Sequence, residues 1–213
     1  MRQIVETLTV AAAVANAVCL SQTKAGAGAL VINGGAVVAG VATSTVAVNV
    51  LVTSDGNDST RTYTVTGTNA SGYTIAETIT GPNATTVYTT RFFKTVTEVD
   101  VVGGATVGNI TVGFSVVGTA TPIPLDIHGF PQVSLQVTVT GTANFTVQQT
   151  LDNPFDSTIN HLWVNHPDSN LVAAAASAQG NYAYIPAATR IVFNSGTGTV
   201  KFTVIQAGIT GGR

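Results

Sequence analysis

Asp152, Asp156, His161, His166 and Asp168 gather in one short stretch, LDNPFDSTINHLWVNHPDSN, and carboxylates and imidazoles are the residue types that ligate divalent metals. Their spacing argues against it. The chain has no HExxH, no paired cysteines and no Asp-x-Asp-x-Asp-Gly loop, and Asp or Asn beside Pro and Ser is ordinary turn chemistry. Asp55, Asn57 and Asp58 pose the same question for calcium and receive the same answer, a turn. Nucleophilic catalysis has no GxSxG to stand on, and His128, His161 and His166 define no Ser-His-Asp set. Glu6, Glu77 and Glu98 with seven aspartates offer many carboxylate pairs and single out none. Gly26 and Gly28 form a GxG without a third glycine in phase or a following helix, which rules against a dinucleotide loop. No catalytic residue, metal or cofactor is expected. The Asn-x-Ser/Thr triplets at Asn57, Asn69, Asn83, Asn109 and Asn144 are what a chain rich in Asn and Thr produces by chance.

The elements that would position these residues are strands. From Val46 to Pro82 the chain reads VAVNVLVTS, DGNDS, TRTYTVTG, TNASG, YTIAETITGP: three extended runs and two reversals. Tyr63 and Val65 alternate with Thr62, Thr64 and Thr66, and Ile75 and Ile79 alternate with threonines, the period-two pattern of antiparallel strands buried on one face. Threonine suits the other face, because its branched Cβ favours a pleated surface and its hydroxyl accepts water. Val87–Lys94 reads equally as strand or short helical turn. Phe92 and Phe93 are consecutive, which in a strand sends one inward and the other toward a partner surface. A further hairpin is predicted over 99–114, about the glycines Gly103 and Gly104.

Pro122 and Pro124 interrupt the pattern in GTATPIPLDIHG and place a domain boundary there. Beyond it VSLQVTVTGTANFTVQQTLDN mirrors the segment from Val50, and ATRIVFNSGTGTVKFTVIQ mirrors the segment from Val96, which predicts an internal duplication. Ile159, His161 and Trp163 are read as one face of a strand, and 171–179 as helical turn or strand. The expectation is an all-β chain of two tandem antiparallel β-sandwich domains, 41–118 and 119–213, preceded by an extended arm and first strand over 1–40. Within that arm the Gly/Ala-rich run 23–40 is closely packed backbone or a flexible segment. The opening MRQIVETLTVAAAVANAVCLS has a faint lipoprotein-signal look that Glu6, Asn16 and Val18 spoil, and its apolar run is too short to span a membrane.

Of 213 residues only 8% are charged, against about 25% in an ordinary domain. Lys24, Arg61, Arg91, Lys94, Arg190 and Lys201 are scattered, so no basic field attracts nucleic acid. A formal net charge of −2 with 45% hydrophobic residues fits a subunit packed against partners better than a free monomer. The single cysteine, Cys19, precludes an internal disulfide.

The run TSDGNDS at 53–59, followed by TYTVTGTNASGYTIAETITGPNATTVYTTRFFKTVTEVDV, resembles a segment of structural proteins of tailed bacteriophages and prophages. There the pattern xTSxGNDSxxTFTVTGTxxxGxxxTETxxGPN is followed by FxTVTxVxV. The likeness covers residues 45–115, and VTVTGTANFTVQQTLDNPF with TGTVKFTVIQAG is similar to phage virion proteins less specifically. It brings no catalytic residues. It implies a virion component of β-sandwich type, jelly-roll or Ig-like, made in the host bacterial cytoplasm and sited on the capsid surface. The expected role is a decoration or cement protein that bridges major capsid protein subunits as a homotrimer, with no nucleic-acid or membrane contact. A neck, tail or fibre-anchor component, in contact with other head or tail proteins, is the alternative placement. An alternative of another class is a carbohydrate-binding adhesin module, in which Trp163, Tyr182 and Tyr184 form an aromatic platform. Phe92, Phe93, Trp163, Tyr182 and Tyr184 are accordingly the candidate interface or ligand residues.

Overall fold

A computed structural model describes residues 2–128, 132–156 and 159–206. Among these the chain is all-β. The strands are β1 (Arg2–Leu8), β2 (Val14–Gln22), β3 (Gly28–Ala29), β4 (Val37–Val38), β5 (Val41–Ser54), β6 (Thr62–Thr68), β7 (Thr74–Thr80), β8 (Thr86–Tyr88) and β9 (Phe93–Val102). They continue with β10 (Ile110–Thr119), β11 (Ile123–Pro124), β12 (Val133–Thr140), β13 (Ala143–Thr150), β14 (Val164–Asn165), β15 (Ala178–Tyr182), β16 (Ala188–Gly196) and β17 (Thr199–Gln206). A 3-10 turn covers Ser169–Leu171. The chain forms two compact units, one of residues 11–118 and one of 119–213 joined by 1–10.

In the 11–118 unit β6 sits between β7 and β9, and β5 lies between β9 and β10. The alternation read from the sequence is what the strands use. Tyr63, Val65 and Gly67 are buried, while the threonines between them are half-buried and bond across the face, Thr64 to Thr78 at 2.8 Å and Thr68 to Thr95 at 2.7 Å. β6 and β7 form the predicted hairpin, turned by Asn69, whose Oδ1 accepts from the backbone N–H of Ser71 and Tyr73, and by Gly72 at a φ of 84°.

Two other expected reversals are not hairpins. β5 and β6 do not pair: β9 lies between them, and although Asn57 accepts locally from Ser59, Asp55 and Asp58 of DGNDS spend their side chains on distant backbone. β9 and β10 do not pair either, since β5 lies between them and the connection is held from outside, Thr106 N–H donating to Lys24 O at 2.9 Å. Val87–Lys94 resolves as the short strand β8 and the start of β9. In the Gly/Ala-rich run, Gly34 is closely packed backbone: a Cβ there would lie 2.3 Å from the Ala17 carbonyl.

The unit built on 119–213 has one sheet in the order β1-β17-β12-β15 and a second group in which β13 sits between β14 and β16. Successive strands change sheets: β12 pairs with β15 and β17, while β13 pairs with β14 and β16. The two arches nest at their turns, where the N–H groups of Thr197 and Gly198 both donate to Thr142 O. Gly196 has a φ of 120°, and a Cβ there would meet Thr142 O at 2.3 Å, so the nesting requires glycine. Leu135, Val137, Phe145, Val147, Ile191, Phe193, Val200 and Phe202 fill the core between the sheets.

β1 completes this unit at the β17 edge in unbroken antiparallel register from Arg2↔Gln206 to Leu8↔Val200. Ile4, Glu6 and Leu8 face inward, with Gln3, Val5 and Thr7 exposed. Burial raises the Glu6 carboxyl above its ordinary value of 4.5. A carboxyl raised in the folded state opposes folding once ionised, so its penalty is absent well below 4.5 and grows as pH climbs through the folded value. E6Q is therefore expected to raise Tm at neutral pH and to match the parent protein below pH 4.5; a Tm gain that ignores pH would refute this account.

Candidate functional site

Asp58 is fully buried in the 11–118 unit, where an isolated charge would be costly. Its carboxylate accepts from Ser54 Oγ at 2.6 Å and from the backbone N–H of Val107 at 2.8 Å and Gly108 at 3.2 Å. The neighbouring Asp55 accepts from the backbone N–H of Asn109 at 2.6 Å and from its Nδ2 at 2.8 Å, and these bonds hold Asp55 below the usual carboxylate range. Both acids thus tie the end of β5 to the connection before β10. Close approach is part of the clamp, since a Cβ on Gly108 would sit 2.2 Å from the Gly56 nitrogen.

Glu77 does similar work on the other side of the motif. It accepts from Thr90 N–H, from Thr90 Oγ1 at 2.8 Å and from Arg91 N–H at 2.8 Å, which fastens the β8–β9 loop to β7. Gly81 and Pro82 are buried, Asp58 N–H donates to Pro82 O, and a Cβ on Gly81 would meet Asp58 O at 2.3 Å. Tyr63 has a buried hydroxyl without a hydrogen-bond partner, and burial together with the Asp58 charge raises its pKa. Cys19 is buried and its thiol is pushed up to about 12, which leaves it un-ionised at neutral pH.

The second constellation lies in the 119–213 unit, around Arg190 on β16. Its guanidinium carbon stands 4.1 Å over the Trp163 ring, and Nε and Nη2 donate to Gln148 Oε1 at 3.0 and 2.7 Å. Gln148 Nε2 in turn donates to Asn165 Oδ1 at 3.0 Å. Burial lowers the Arg190 pKa, yet a guanidinium remains charged at neutral pH. Residues 159–163 form no strand, a departure from the sequence reading. The segment is instead folded back locally, with Leu162 N–H donating to Asp152 Oδ2 at 2.6 Å and His161 Nε2 lying 2.8 Å from Asn153 O.

His166 is buried against Tyr182, with ring centroids 4.8 Å apart. Its Nδ1 accepts from Asp168 N–H at 3.0 Å, while Nε2 makes no hydrogen bond of good geometry. Burial lowers its pKa, against the opposing influence of the Asn181 carbonyl and Asp168. Asp168 caps the 3-10 turn by accepting from Asn170 N–H. Asp152, His161, His166 and Asp168 are thereby engaged in local contacts, and among the described residues no three of His, Cys, Asp or Glu group as metal ligands.

The candidate aromatic residues divide. Phe93 is fully buried and Tyr182 is 2% exposed, its hydroxyl 2.8 Å from Thr189 Oγ1, so both belong to the core and present no ring to a ligand. Phe92 and Trp163 are half-buried, and Tyr184 is exposed with its hydroxyl accepting from Gln149 Nε2. The region 171–179 combines the end of the 3-10 turn, an isolated bridge from Ala174 to Phe145 and the first residues of β15.

Sequence reasoning missed Arg190, which it counted among scattered cations. The available signal was a single charge inside the apolar strand ATRIVF. It missed the clamp roles of Asp58 and Glu77 because their backbone donors lie in other loops, Val107 and Gly108 for Asp58 and Thr90 and Arg91 for Glu77. Leu151, Phe155, Leu162 and Val164 also stand exposed, apolar and close together in the sequence. No protein-family model, no curated protein and no solved structure matches the chain.

Proposed function

We propose that this chain is a non-enzymatic structural subunit of a tailed-bacteriophage particle, and that it acts as a capsid decoration or cement protein. The reading includes two tandem sandwich domains of jelly-roll or Ig-like type, a homotrimeric assembly and the major capsid protein as partner. The observation that supports it most is how the motif residues are used. Asp58, Glu77, Gly81, Pro82 and Phe93 all lie in the segment that resembles virion proteins, and each is engaged in holding strands and loops together. A motif made of framework residues fits a building block. The low charge and the exposed Leu151, Phe155, Leu162 and Val164 add surface suited to burial against a neighbour. Such a subunit would stabilise a shell by binding only its assembled form, since any ligand selective for one state shifts the equilibrium toward it.

Purified protein mixed with empty expanded capsids and, separately, with tails, then imaged by electron microscopy, tests the proposal. Regular density across the shell lattice is the expected result. Density confined to the vertex or tail would replace decoration by a neck, tail or fibre-anchor role, and binding to neither would overturn the virion reading.

The adhesin alternative loses support from the covered face of Trp163 and the burial of Tyr182. A stacking sugar needs an open aromatic face. Titration with a panel of mono- and oligosaccharides is expected to leave Trp163 fluorescence unchanged, and saturable quenching by any of them would restore the sugar-binding reading.

A further inference from the structure

β1 and the edge it covers are separated by almost the whole described chain. The connector after β1 leads at once into the other compact unit, Val10 belonging to one and Ala11 to the next. Residues 9–13 form no strand, and Ala11, Ala12 and Ala13 are exposed. β1 is held by its unbroken register with β17 and by the contact of Thr9 Oγ1 with Thr199 Oγ1 at 2.8 Å, and Leu8 and Val10 are buried. Vacated, that edge would expose a row of N–H and C=O groups beside two apolar sites, which is a template for another strand.

The geometry points to the β17 edge as an interaction surface for a second copy of this chain, whose β1 docks in trans with the register that β1 holds in cis. The occupant is defined by the structure itself, because the contacts that fit the edge are those of residues 2–10. Exchange of an identical element recreates every native contact and alters only the path of the connector, so it is a low-cost route to association. The connector here has no strand pairing, and its residues 11–13 are exposed. The inward-facing Glu6 weakens the hold of β1 on its own edge, and a net charge of −2 offers little repulsion between copies. This inference concerns the protein alone and stands or falls separately from its placement on a particle.

Thr7 and Lys201 are directly opposed and both exposed, so a cysteine at either site leaves the core untouched. T7C and K201C are made as two separate full-length variants. The native Cys19 is buried and stays silent toward oxidants. After incubation of the equimolar mixture at high concentration under mild oxidation, denaturing gels without reductant report any disulfide between the two variants, which a trans strand holds in register and random collision does not. Placing the thiols opposite each other raises their effective concentration, so about tenfold more dimer is expected in the mixture than in either variant alone. A mixture that cross-links no better than its separate components would overturn the inference.

Discussion

D58A is expected to destabilise the 11–118 unit by about 3 kcal/mol, a fall of roughly 10–20 °C in its Tm for a unit of this size. The reason is what the carboxylate leaves behind. Val107 N–H and Gly108 N–H point at a fully buried position, and without Asp58 they lose a charged acceptor that water cannot replace without opening the clamp. D58N keeps one acceptor oxygen and places an NH2 toward the remaining donor, so it should recover part of the loss. Thermal unfolding followed by circular dichroism measures the stability. Limited proteolysis should show new cleavage in residues 103–109, and an unchanged Tm for D58A would remove the clamp from the account.

R190A is expected to cost the 119–213 unit a similar amount, about 3 kcal/mol, because it removes a charged donor pair from Gln148 and the cation above Trp163 together. It carries an optical signature as well. With the guanidinium gone, the indole meets water, and Trp163 emission should shift to the red and become open to acrylamide quenching. R190K restores a charge near the ring but supplies a flexible point donor in place of the planar fork, so its stability should fall between the two. Emission in R190A identical to that of the parent protein would mean that the guanidinium does not cover the ring.

The strands were readable because their cause is local. Tyr63 and Val65 are buried and their threonine neighbours face the other way for no reason beyond the pleat. The hairpin at Asn69–Gly72 was readable for the same reason, since the Asn69 side chain bonds backbone two and four residues on. DGNDS carries the same residue types yet makes a different structure. Asp58 finds its donors at Val107 and Gly108, and nothing in the short segment distinguishes an aspartate that closes its own turn from one that grips a remote loop. The strand expected at Ile159–Trp163 failed on a related ground: Asp152 bonds Leu162 N–H and diverts the backbone from a ladder, a competition that period-two alternation cannot register. Candidate surface aromatics suffered because alternation assigns a face only relative to neighbours, and it left open which rings would be core.

The pairing of Arg2 with Gln206 also sets an order of events during synthesis. Among the strands of the described residues in its unit, β1 leaves the ribosome first and its sheet partner β17 leaves last. The unit cannot close until nearly all of its sequence has been made, and the changes of sheet at β12–β13 and β16–β17 make other pairings non-local too, Val133 meeting Gln206 and Thr150 meeting Ala188. Folding that waits on such separated contacts is slow. Unfolding beyond the edge strand β1 must break the same sheets across both arches, which favours long-lived native molecules whose persistence is governed by a barrier. Nascent chains on neighbouring ribosomes would each display an unclaimed β1 throughout that interval.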